Sequence, residues 1–94
     1  MKEQKLSPEG NALFSTLLMG LASAAMIELG LIEDPSSKQK RSQPAVAKQH
    51  IDILVMLKEK TRGNLSPEEV QLVERLLTDL RLQYAKSVNA PTTP

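Results

Sequence analysis

The side chains able to do chemistry are few and poorly placed to do it together. His50 is the single histidine and cysteine is absent, so thiolate metal sites, thiol nucleophiles and disulfides are all excluded. A metal ion needs several convergent ligands at helical spacing, and the nearby acids Asp52 and Glu59 project from the opposite side of the segment that carries His50. No serine is placed beside a general base, which leaves no activated nucleophile. Gly63-Asn64 lacks the repeated glycines and the following Lys-Ser/Thr pair of a phosphate loop and reads as a helix stop. We therefore expect a protein that is not an enzyme, with no catalytic residue, metal or cofactor. His50 is read as a part-buried imidazole, hydrogen-bonded at a helix or subunit contact.

One cluster could bind polyanions. Lys38, Lys40, Arg41 and Lys48 form a basic region able to contact phosphates. It has no aromatic neighbours on which bases could stack, and twelve basic against eleven acidic residues give a net charge of only +1, so no global field attracts nucleic acid or anionic lipid. Weak nucleic-acid binding through this region stays as an alternative, against the ordinary reading of a solvated loop.

The elements that would position these residues are all helices. No stretch alternates as a half-buried strand does, and glycine and aromatic residues are scarce, with four glycines and 2% aromatic content, so the fold class is all-α. Three helices are predicted over about 9–30, 44–62 and 67–87, forming a single domain over 8–87 between a flexible N-terminus (1–7) and a disordered tail (88–94). The first starts with Ser7-Pro8-Glu9, with Asn11 as a second possible cap, and ends at Gly30, a residue free to take the left-handed conformation that stops a helix. Asp34-Pro35-Ser36-Ser37 is turn chemistry within a loop from Leu31 to Gln43. The second helix starts around Pro44 and stops at Gly63-Asn64. Leu65-Ser66-Pro67-Glu68-Glu69-Val70 then spells out a capping box between Ser66 and Glu69, with Leu65 and Val70 as a hydrophobic staple.

Helical periodicity assigns faces. In the third helix Val70, Val73, Leu77, Leu80 and Tyr84 form a stripe that Leu72 and Leu76 widen. The second has Val46, Ala47, Ile51, Ile53, Leu54 and Leu57, with Val55 and Met56 off the stripe; Asp52 should pair with Lys48 or reach Arg81. The first has no wet face. Phe14, Leu18, Leu21, Met26 and Leu29 make a bulky side, while Thr16, Gly20 and Ala24, with Ser23 beside them, make a flat stripe of small residues that would let two helix backbones approach closely. A 94-residue chain has little material with which to cover such a rod on every side. The bulky side is expected to pack on the other two helices and the small stripe on its copy, giving a homodimeric helical bundle. The alternative is that Gly20 and Ala24 admit a crossing helix of the same chain. A small apolar ligand held between helices is a further possibility.

The apolar run is too short, and too interrupted by Asn11, Ser15, Thr16 and Ser23, for a membrane span. Lys2, Lys5 and Ala22-Ser23-Ala24 have some features of a cleaved leader, but Glu3 and Glu9 oppose it, and cleavage would remove the helix the other two need. A cytoplasmic protein is expected.

Phe14-Ser15-Thr16-Leu17, Leu29-Gly30, Asp34-Pro35, Ala47, Ile51-Asp52, Leu54, Leu57, Lys60-Thr61, Gly63-Asn64-Leu65, Leu76-Leu77, Leu80-Arg81 and Tyr84 together resemble the short bacterial domain of unknown function numbered eighteen forty-four. The resemblance runs from Phe14 to Tyr84, and the Lys-Thr-x-Gly-Asn-Leu turn is its most specific part. It implies a small helical protein and supplies no activity, cofactor or catalytic residue. Ser36-Ser37 stands where that pattern has a Thr-Gly turn, and His50 where it has a smaller residue.

Overall fold

A computed structural model describes residues 8–89, which form three helices and no strand: α1 (Pro8–Glu28), α2 (Pro44–Lys60) and α3 (Pro67–Asn89). Each begins with a proline, whose fixed φ and missing N–H suit the first helical turn. Since α1 already starts at Pro8, Asn11 lies inside it and is not its cap; Ser7 lies outside the described residues. The helix ends two residues earlier than expected, at Glu28, and the chain then turns through Gly30, at φ +81°, where the Leu31 amide donates to the Met26 carbonyl and the Gly30 amide to that of Ile27. Gly63, at φ +84°, plays the same part after α2. There Thr61 caps the helix by returning its hydroxyl to the Leu57 carbonyl at 2.6 Å.

The α1–α2 loop is held by its own polar groups. Asp34 accepts a hydrogen bond from the Ser36 amide at 2.7 Å through its side chain, and its backbone exchanges bonds with Lys38 and Gln39. The turn predicted from Asp34-Pro35-Ser36-Ser37 is therefore present. The Gln43 amide donates to the Glu28 carbonyl at 2.6 Å, which fixes the start of α2 against the end of α1 and makes the two helices antiparallel neighbours.

The capping box of α3 is complete and buried. The Glu69 amide donates to Ser66 Oγ at 3.2 Å while the Ser66 amide donates to Glu69 Oε1 at 2.9 Å. Ser66 and Glu69 are the buried polar residues of the described structure, at 2% and 5% exposure. Reciprocal hydrogen bonding is what makes a buried carboxylate and hydroxyl tolerable. At the other end α3 runs to Asn89, so Val88 and Asn89, expected in the tail, are helical.

The core is a seam of Leu18, Ala22, Ala25 and Leu29 from α1, Ala47, Ile51 and Leu54 from α2, and Val73, Leu77 and Leu80 from α3. Phe14, Leu21 and Met26 pack against its edge, so the bulky side of α1 faces inward as expected. The core also takes three alanines, Ala22, Ala25 and Ala47, which let helix backbones come close. On α2 the expectation needs correction: Val46 and Ile53, assigned to the dry stripe, are exposed at 39% and 37%, whereas Val55, placed off the stripe, packs on the core. The inward line is Ala47, Ile51, Leu54, and at 100° per residue Val46 and Ile53 fall well to one side of it. On α3, Val70 is likewise exposed while Val73, Leu77 and Leu80 are buried.

Candidate self-association surface

The face of α1 turned away from α2 and α3 carries no charged side chain between Ala12 and Ile27. Leu13 and Leu17 stand there 73% and 47% exposed. The stripe of small residues runs down this face: Thr16, Gly20 and Ser23 are exposed and Ala24 is half-buried. A Cβ added at Gly20 would meet nothing within 4 Å. Among the described residues no helix crosses at Gly20. It is Ala22 and Ala25, on the other side of α1, that receive the neighbouring helices.

Along one edge of this face, Leu17, Leu21, Ala24 and Glu28 follow steps of four, three and four and share a ridge. On α2, Val46, His50, Ile53 and Leu57 follow the same steps. The two ridges are tied at one end, where His50 Nδ1 lies 2.8 Å from Glu28 Oε1 with both side chains part-buried. His50 is thus a hydrogen-bonded imidazole at a helix contact, as read from the sequence. Its carboxylate partner, twenty-two residues back, could not be recognised without knowing that α1 and α2 are antiparallel neighbours. α3 packs on the other side of the pair: Lys58 of α2 reaches Glu74 at 3.6 Å, and a cleft between α1 and α3 is lined by Met26, Leu76 and Leu80.

The basic residues do not form one site. Lys38, Lys40 and Arg41 are exposed on the loop, Lys38 at the unusual φ of +61°. Lys48 sits on α2 and is engaged by Asp52 at 2.9 Å, one turn on. The Asp52 hydrogen bond, and then its charge, hold the Lys48 ammonium above its ordinary 10.5. Of the two partners weighed for Asp52, the structure selects Lys48. Arg62 pairs with Glu59 on the surface at the end of α2.

Among the described residues, two of the cavities adjoin α1. One, of about 250 Å³, lies between its C-terminal end and the loop, lined by Ala24, Ile27, Glu28, Asp34, Arg41 and neighbours. The other, of about 180 Å³, is the α1–α3 cleft, with Asp79 at its lining. Both fall below the roughly 300–1,000 Å³ of typical small-molecule sites. No group of three or more histidine, cysteine or acidic residues among the described residues could hold a metal ion. No described helix is long and apolar enough to cross a membrane.

These features define a class: a small three-helix protein with an uncharged helix face outside its own core. The chain belongs to the family of the domain of unknown function DUF1844, whose pattern matches residues 11–86. No curated protein and no solved structure matches it.

Proposed function

We propose that this protein is a non-enzymatic helical interaction module that self-associates through the outer face of α1, around Thr16, Gly20, Ser23 and Ala24. The observation that carries this reading is the bare surface at Gly20, flanked by exposed Leu13 and Leu17 on a face without charge. Scattered apolar residues on a surface are ordinary; exposed Leu13 and Leu17 beside a stripe of small residues, with no charge from Ala12 to Ile27, make a face suited to a contact. A glycine in the middle of a helix weakens it by roughly 0.5–1 kcal/mol relative to alanine, and among the described residues nothing lies within 4 Å of a Cβ added there. A second copy of α1 would, because paired backbones can approach closely where side chains are small.

Sedimentation of the wild type and of Gly20→Leu tests the reading. The first carbon of the leucine meets nothing in the isolated chain but the side chain would hold two paired helices apart, so the variant should be a folded species of half the wild-type mass. Equal masses and equal stabilities for the two proteins would refute it.

A further inference from the structure

Resting on that reading, we infer that the second copy covers the exposed ridge of α2 together with α1, so that two α1–α2 hairpins close an antiparallel four-helix contact with α3 outside it. The contact would involve Val46 and Ile53 as directly as Leu17 and Gly20.

Size favours this over pairing through α1 alone. A helix of 21 residues is about 31 Å long at 1.5 Å per residue. Taking about 10 Å for the width of a packed helix, its face offers roughly 300 Å² per copy, or about 600 Å² in all. That is below the ~1,000 Å² a specific interface should exceed. Adding the neighbouring ridge of α2 roughly doubles the footprint and clears the threshold.

The residues exposed on α2 are the ones this geometry needs. Val46 and Ile53 are aliphatic, lie on the ridge that His50 ties to Glu28, and contribute little to the core of their own chain. The His50–Glu28 hydrogen bond sets this ridge of α2 beside the ridge of α1 that carries Leu17 and Glu28, while Lys58 joins α2 to α3 through Glu74.

Its charges also suit a two-fold partner. Glu28, whose part-buried carboxylate is hydrogen-bonded to His50, lies at one end of the face, and Lys60, in the last turn of α2, lies at the other. Lys60 is exposed and has no ion pair among the described residues. An axis perpendicular to the helices brings the Lys60 end of one copy to the Glu28 end of the other, whereas parallel packing would bring like ends together.

The test is the mass in solution of Ile53→Asp, with Leu82→Asp on α3 as a surface control. The aspartate should raise the dissociation constant on the order of 100-fold by placing a carboxylate in an apolar contact, and the control should leave it unchanged. A wild-type dimer that Gly20→Leu dissociates and Ile53→Asp leaves intact would overturn the two-helix interface while leaving α1 self-association standing. A wild type that stays monomeric would overturn both. Dilution of the unmodified protein gives a readout independent of variant folding: the methyl resonances of Val46, Ile53 and Leu17 should shift together as the dimer dissociates, and those of Leu82 should not. Shifts confined to α1 would contradict the inference.

Discussion

Gly20→Ala separates what the isolated chain requires from what association requires. The residue lies mid-helix, exposed, and its added Cβ would meet nothing within 4 Å. No clash offsets the change, so the full difference in helix propensity applies, ~0.8–1.0 kcal/mol in favour of alanine. For a domain of this length each kcal/mol moves the thermal midpoint by about 4–8 °C. Measured at a dilution where the chain is monomeric, Gly20→Ala should therefore melt several degrees above wild type. At high concentration, where two copies pair at this position, the gain should shrink, because each methyl meets the opposing helix and weakens association. The assay is a pair of melting curves for each protein, one dilute and one concentrated. A variant less stable than wild type in dilute solution would show that something within the chain already packs on Gly20. A gain identical at all concentrations would show that no partner does.

Three other outcomes are expected. Ser66→Ala removes the acceptor for the buried Glu69 amide and should cost on the order of 1 kcal/mol, seen as a lower denaturant midpoint with unchanged slope; an unchanged midpoint would contradict the capping geometry. Ala47→Leu forces three further carbons into a fully buried position and should cost about 1–3 kcal/mol by overpacking, whereas an unchanged midpoint would show slack between the helices. Lys48 should lose its proton at higher pH than ordinary lysines, and Asp52→Asn should return it to the usual range by NMR titration. Because the folded value is raised, the pair favours the fold below about pH 10.5 and ceases to do so as pH rises through the Lys48 value. The pair is solvent-exposed, so the effect on stability should be small.

The features legible in the sequence are those whose chemistry is local. The Ser66–Glu69 box, the left-handed stops at Gly30 and Gly63, the Asp34 turn and the Lys48–Asp52 pair each depend on residues a few positions apart, and each is present. The inward line of α3 was legible too, because its charged residues fill the other faces. α2 misled because its apolar arc is wider than its neighbours can cover: Val46 and Ile53 are as hydrophobic as Ala47 and Leu54, and periodicity alone does not say which part of a wide arc faces in. For α1 the difficulty was the reverse. Ala22 and Ala25 are core residues, yet small side chains carry little weight in a hydrophobic pattern beside Leu13 and Leu17, which are exposed. The Glu28–His50 contact depends on the antiparallel placement of two helices, which no local pattern encodes.

The surplus of apolar residues on α1 and α2 is what the self-association proposal is meant to explain. Sedimentation equilibrium of the wild-type protein across a wide concentration range tests it most directly. Self-association predicts a reversible rise in mass from 10.4 kDa to twice that value, whereas a species that keeps the single-chain mass at every concentration would contradict it.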